Sequence, residues 1–578
     1  MELSDNPHLI NLYQPTMYPE PNSAPASIPL RAGALDLSLQ DGRLVDIRHA
    51  GVEIWRTVMF LYRDPAWATP RHAVTTGSTD VREDGFALRQ AGSCPAVPGI
   101  RWSADLKGFP DGRIEYSVEV EVGDDLLTSR TGLCVLHPAS AAGAALEVEH
   151  VDGRVSRSRF PERISPWQPF TQIRALRHRF AAGGWAVCQF EGDDYEMEDQ
   201  RNFSDASFKT YSRSNFMPRP FRLDAGAVLR RSVTLRLEQP PRLLRRPVTD
   251  AQIKVSVSSD SAGQLPAIRL LASAEKMAQR TGAQVPSHLR VDLRHWSPAT
   301  PLAPLSGAGS FAHTVCPTRL DLILADDAHA PAACRQLAAA CEEHHLTVNE
   351  LAIFPSSGRA VEAARSCFPG ARIGGGTPYF FTHLNRMELP PHLDFVTYTT
   401  CPIIHVADDV TVMQSLCTLT EQVATLRARG VSAPVHVGPI GIGMSIDPFG
   451  VDVRQEPGFP IAMASDDLRD QSVFGQAWVV GYLCRMACAG VASVTLAHAC
   501  VFDALAPLVA RQGAPIRKVR NPDPDRLAVL AVDDGKTCQV WSANLGTTTV
   551  DIALELPGTA RPLSLRLAPH TWACRAGP

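Results

Sequence analysis

"RLDLILADDAHAPAACRQLAAACEEHHLTVNELAIFP", Arg319 to Pro355, carries the alternation that decides the fold. It opens on an apolar run of strand length, turns at Asp326 and Asp327, and passes Pro331 into a stretch whose apolar residues recur at helical spacing. It then returns to a second apolar run, "ELAIFP". Strand, helix, strand is a βα unit, and the unit repeats on either side. The strands read as "QIKVSVSS", "HLRVDL", "RLDLILAD", "ELAIFP", "RIGGGTP", "FVTYTTCPI", "PVHVGP" and "SVTLAHA". Between them lie helical stretches such as "AIRLLASAEKMAQRTG", "TVMQSLCTLTEQVATLRARG" and "DQSVFGQAWVVGYLCRMACAG", several closed by glycine. Eight such units in about 250 residues match a closed (β/α)8 TIM barrel. A doubly wound open sheet competes, but it would place a glycine fingerprint after its first strand, and none follows "KVSVSS". The poorest helix lies in "SPATPLAPLSGAGSFAHTV".

Upstream of "RLLRRPVTD" the text alternates apolar and polar residues over short spans, "ALDLSLQDGRLVDIRHAGVEI" and "RIEYSVEVEV" among them, broken by Asp41-Gly42, Asp111-Gly112 and Asp152-Gly153. Such strands joined by tight turns predict a large β-sandwich. The alternation returns in "RLAVLAVDDGKTCQVWSANLGTTTVDIALEL". The fold class is therefore multidomain β plus α/β: an N-terminal β-sandwich over 1–246, a TIM barrel over 247–517 and a small C-terminal β domain over 518–578.

Composition sets the bounds. The 578 residues exceed what one core organises, and a net charge of −4 offers no basic field for nucleic acid. The start, "MELSDNPHLINLYQPTM", lacks a basic segment followed by an apolar one, so a cytoplasmic location is expected. The most membrane-like run contains Arg485 and breaks at Ala489-Gly490-Val491, which favours a buried helix and strand over a membrane span. The 14 cysteines include no CxxC pair and read as small buried hydrophobes. No ligand spacing calls for a metal and no motif for a cofactor; HExxH, GxSxG and P-loop patterns are absent. A small-molecule substrate is the expected partner.

In a TIM barrel the reacting groups stand at the carboxyl ends of strands. By that rule Glu350 of "TVNELAIFP" falls too early, near the start of its strand or inside the barrel. "CPIIHVADD" is better placed, with His405, Asp408 and Asp409 after the sixth strand. An imidazole beside carboxylates suits proton transfer at neutral pH, whereas carboxylates just before Thr411 also suit a helix cap. Asp292 ends the second strand, with Arg290 or Arg294 as a pairing partner. Tyr379 and Asn385 follow the triple glycine Gly374–Gly376 and could hold hydroxyls, while the triplet itself suggests close backbone packing. "HVGPIGIGMS" offers amides able to hold an oxyanion or a carboxylate. His498 and Asp503 flank the eighth strand.

The sandwich has its own dense run, "EGDDYEMEDQRNFSDASFKTYSR", from Glu191. Mixed charge interleaved with aromatic rings reads as a folded, partly buried polar network, either a seam or one wall of a site. Its Glu198 and Asp199 are candidate acids; Arg201, Asn202 and Lys209 are candidate hydroxyl ligands.

The phrases "RTVMFLYRDPAWATP", "FPERISPWQPF", "FEGDDYEMEDQRNFSDASFKTY", "GGGTPYFFTHLNR", "PIIHVADDVTVMQSL" and "FGQAWVVGY" together resemble the bacterial D-apionate lactonase family over nearly the whole chain. The resemblance implies an N-terminal β domain, a TIM barrel and a C-terminal β domain, and hydrolysis of D-apionolactone to D-apionate in apiose catabolism. It supplies no catalytic set. The expected chemistry is water activated by His405 with Asp408 or Asp409, and Glu198 or Asp199 as second acid. A glycoside hydrolase or a noncatalytic carbohydrate-binding protein are the alternatives.

Overall fold

The computed structural model describes residues 27–180, 183–239, 252–271, 287–297, 318–343, 345–448, 461–533, 535, 537–559 and 561–577. The amino-terminal stretch, the boundary read at 246 and 247, the helix expected after Leu271 and nearly all of the linker after Trp296 lie outside these residues. The described residues form two compact units, one on each side of the 240–251 segment.

The N-terminal unit is built from strands whose alternation has a direct physical cause. In Ile114–Val122, every second side chain from Ile114 to Val122 is buried and those between face outward, the period of a pleated strand with one covered face. Sixteen strands pair into one antiparallel sheet. In place of two separate sheets, one continuous ladder has both arms lining a common core: Trp55 and Val58 come from one arm, Leu106, Tyr116 and Val118 from the other. The Tyr116 hydroxyl donates to Gly42 O at 3.1 Å. Gly42 sits in the expected hairpin, where Asp41 and Gly42 both take positive φ, 45° and 76°, as the twist-matched two-residue turn requires.

In the second unit, eight parallel strands close into a barrel: Ala267–Leu271, Ser287–Leu293, Thr318–Leu324, Val348–Phe354, Arg372–Phe380, Phe395–Thr399, Val435–Ile440 and Ser493–Leu496. Seven stand where the sequence put them. The first does not: Ala267–Leu271 opens the stretch read as a helix, and Ile253–Gln264 belongs to the C-terminal sheet. There it pairs parallel with Val550–Glu555 and antiparallel with Pro515–Arg520. The reason is visible in its burial: Ile253, Val255 and Val257 are buried while Lys254 is exposed, the pattern of a strand with one covered face rather than of a barrel strand walled on both.

The triple glycine packs closely, as expected. A Cβ on Gly374 would stand 2.2 Å from the Phe395 ring of the neighbouring strand. The seven-stranded C-terminal sheet lies against the helix Val473–Cys488, where Trp572 Nε1 donates to Gln476 Oε1 at 3.0 Å and Arg485 donates to Pro524 O at 2.8 Å. Covered by barrel and sheet alike, this helix is apolar nearly all round, which accounts for the membrane-like run. Among the described residues no helix is long and apolar enough to cross a membrane.

Candidate active site

The barrel interior is charged. Towards the amino end of the strands, Glu350 meets Arg269 Nη2 at 2.9 Å, Arg372 Nη1 at 3.3 Å and His436 Nδ1 at 3.4 Å. Burial alone would raise its pKa, but His436, Arg269 and Arg319 outweigh it and hold the carboxyl down at about 2. One layer higher, Asp321 accepts from Arg319 Nε and Nη2 at 3.2 and 3.0 Å and lies 2.8 Å from His288 Nε2, whose Nδ1 is 3.0 Å from Thr495 Oγ1. Arg319 Nη2 also donates to Thr397 Oγ1 at 2.8 Å. Burial pushes both His288 and His436 down to about 4, so both are neutral at pH 7. This half of the barrel is a buried set of arginine–carboxylate pairs flanked by neutral imidazoles, and Glu350 belongs to it.

The carboxyl end is organised by the loop after the seventh strand. Ile442 N and Gly443 N donate to Asp470 Oδ1 and Oδ2 at 2.7 and 2.9 Å. The amides that the sequence offered to an anion thus hold a carboxylate of the chain itself. Asp470 Oδ2 in turn lies 3.2 Å from His498 Nε2, two residues past the end of the eighth strand. Asp470 is buried and His498 keeps 27% of its side-chain surface open. The pair packs tightly on Gly441, where a Cβ would stand 3.1 Å from His498 Nε2 and 3.2 Å from Asp470 Oδ1 and crowd both. A buried carboxylate on one ring nitrogen fixes the tautomer and leaves the other nitrogen as proton acceptor. Two residues past Gly443, Ser445 O accepts from Arg290 Nη1 at 3.3 Å. Neighbouring loops are tied in by Met463 N donating to Ile403 O and Met444 N to Ala464 O, both at 2.8 Å.

The residues expected from sequence distribute as follows. His405 is half-buried in the loop two residues beyond Ile403. Asp408 caps the helix Asp409–Gln414, with Oδ1 and Oδ2 each 2.9 Å from a donor on Thr411, the amide and the hydroxyl. Asp409 binds Arg469 Nη1 at 2.6 Å, and Arg469 also clasps Asp467. Asp292 is gripped by Arg294 at 2.7 Å, and Arg294 Nη1 reaches the Tyr379 hydroxyl at 3.4 Å, so Arg294 rather than Arg290 is its partner. Asn385 is buried on the helix Phe381–Arg386, its Oδ1 3.5 Å from Arg429 Nη1.

In the N-terminal unit, Asp199 is buried. Arg201 grips it side-on at 2.9 and 2.8 Å, and the Ser165 amide donates to it at 3.0 Å. Burial dominates its pKa and raises it, against the pull of Arg201. Arg201 also donates to Pro161 O and Glu162 O, and Asn202 to Ser165 O, so both pin the 161–165 loop. Glu198 lies 4.0 Å from Lys209 Nζ, and burial brings that ammonium down to about 8. The mixed-charge run is thus a buried network on strands covered on both faces.

Sequence reasoning missed Asp470 altogether. It lies 28 residues from the Ile442 amide that donates to it, so only the glycine-rich donor loop signalled it.

Comparison with known proteins agrees with the architecture. Residues 16–240 match the family model described as "D-apionate lactonase, N-terminal domain", and residues 267–507 the one described as "D-apionate lactonase, TIM barrel domain". A protein of Brucella anthropi named D-apionate lactonase is 32% identical over 496 residues, covering 81% of each chain. Among solved structures, a Paenibacillus polymyxa xyloglucanase of glycoside hydrolase family 44 aligns with 56% of this chain and 99% of its own, at 9% identity and TM-score 0.40. A β-arabinopyranosidase aligns with 95% and 100%, at 9% identity and TM-score 0.33.

Proposed function

The chain belongs to the D-apionate lactonase family, and from that premise we propose that it hydrolyses a sugar lactone, D-apionolactone to D-apionate, at the carboxyl end of its barrel. The observation that carries the siting is the Asp470–His498 pair, a proton acceptor oriented by a buried carboxylate that two backbone amides hold in place.

In this reading His498 takes a proton from water through Nδ1 while Nε2–H donates to Asp470. The resulting hydroxide adds to the lactone carbonyl carbon. The tetrahedral intermediate then collapses, the bond between acyl carbon and ring oxygen breaks, and the departing oxygen receives a proton. His405, on the loop joined to this cluster through Ile403, is the proposed second acid, and Tyr379, Asp292 and Asn385 the proposed ligands for hydroxyls. Asp408 and Asp409 support this mouth through the helix cap and Arg469. Glu198 remains a candidate acid of the N-terminal unit. Asp199, both of whose oxygens are engaged, is assigned to holding its loop.

Purified protein given D-apionolactone and other aldonolactones should release acid and leave aryl glycosides intact. His498→Ala should lower kcat by about 10²–10⁴, the range of a lost general base. Unchanged turnover in that variant would move the base elsewhere, and cleavage of glycosides without lactones would overturn the function.

A further inference from the structure

The Nε and Nη2 edge of an arginine is the fork that grips a carboxylate side-on. Several arginines show it filled, among them Arg201 on Asp199, Arg294 on Asp292, Arg469 on Asp467, and Arg319 on Asp321. Arg290, on the second barrel strand, shows it empty. Its Nε and Nη2 are both shielded from water and both without a partner, which holds for no other arginine among the described residues. Only Nη1 is engaged, on Ser445 O.

The empty fork is not for want of carboxylates. The charged neighbours of Arg290 are Asp321, Arg319, Asp292 and Arg294. Each of the two acids is already clasped by the other arginine beside it, Asp321 by Arg319 with His288, and Asp292 by Arg294. Idle N–H donors out of water are unfavourable, the more so on a cation, and no other arginine among the described residues leaves its whole Nε/Nη2 edge in that state. The loop that holds Arg290 at Ser445 is the loop that holds Asp470 at Gly443, so the idle donors and the His498 pair share one support.

We infer that Arg290 is the carboxylate-recognition residue of this site: its Nε/Nη2 fork receives the carboxylate of the sugar acid and, before that carboxylate exists, the lactone carbonyl oxygen as it gains negative charge. The inference rests on the lactonase reading and adds to it the group that binds the reacting carbon's oxygens.

The test is calorimetric titration of D-apionate, and of the uncharged alditol of the same skeleton, into wild type, Arg290→Lys and Arg290→Gln, with lactone kinetics alongside. Both variants should bind D-apionate at least about tenfold more weakly, because an ammonium keeps the charge but not the fork. Their affinity for the alditol should stay near that of wild type, and kcat/KM for the lactone should fall. A merely structural arginine would lower the unfolding midpoint of both variants and leave D-apionate affinity where it was, which overturns the inference. If neither variant folds, a wild-type crystal with D-apionate decides, since a carboxylate seated away from Nε and Nη2 overturns it equally. Wild type that turns over the lactone while Arg290→Lys keeps its D-apionate affinity refutes Arg290 alone. Wild type inert to every lactone and blind to D-apionate refutes the function and this inference with it.

Discussion

The two ends of the barrel treat charge in opposite ways. Towards the amino end, Glu350 and Asp321 are each met by more than one cationic or imidazole group within 3.4 Å. Towards the carboxyl end, His498 is partly open, and Arg290, level with Asp321 on its strand but reaching up to the Ser445 carbonyl, keeps two donors unused. Ionised groups out of water are tolerated when an opposite charge meets each of them, so this paired set is architecture. Where pairing stops short, the remaining valence is available to a substrate. The difference separates structural from chemical residues inside one barrel, although both kinds carry the same side chains.

The sharpest way to break this contrast is Asp321→Ala. It strands Arg319 in the interior without its counter-charge and leaves the neutral His288 without its carboxylate partner, and the expected loss is about 3–5 kcal/mol of stability. Denaturant unfolding followed by a probe in the barrel measures it. A variant that unfolds like wild type but has lost turnover would move the amino half into the active site and erase the distinction.

Acid should sharpen the same contrast by a smaller amount. His288 and His436 sit near pKa 4 when folded and near the ordinary 6.5 when unfolded. Between those values the unfolded chain binds more protons than the folded one, so stability falls as pH drops from about 6.5 to about 4, by at most about 1.4 kcal/mol per pH unit for each imidazole. Glu350, held down at about 2, extends the loss below pH 4.5. The unfolding midpoint in urea should therefore decline through this window. A flat profile between pH 6.5 and 4 would mean that these histidines are not buried neutral.

How much of this was legible in the sequence follows from the range of the interactions. Seven barrel strands and the Asp41-Gly42 turn could be read because periodicity and turn chemistry are local. The strand Ile253–Gln264 could not be placed, since its partners in the C-terminal sheet come some 260 to 300 residues later and nothing local names them. The site divides along the same line. His405 and Asp408 stand out because imidazole and acids are adjacent in the text. Asp470 does not, because its amide donors are 28 and 27 residues away. Arg290 is visible, but the sequence offers it and Arg294 alike as partners for Asp292, and only the structure shows that Arg294 takes that place.

Asp408 gives the finest test, because the sequence allowed it two roles and the structure shows one of them in full. Both its oxygens meet donors on Thr411, at the start of the helix Asp409–Gln414. A cap replaced by alanine costs about 1 kcal/mol, and the loss is confined to the helix start. Asp408→Ala should therefore lower the unfolding midpoint slightly and leave turnover of D-apionolactone within about twofold of wild type, whereas Asp408→Asn, which still caps, should keep both. Turnover reduced about a hundredfold or more in the folded asparagine variant would show that the carboxylate charge takes part in proton transfer. In that case a residue with complete pairing would be chemical after all, and pairing could no longer be used to tell the two ends of the barrel apart.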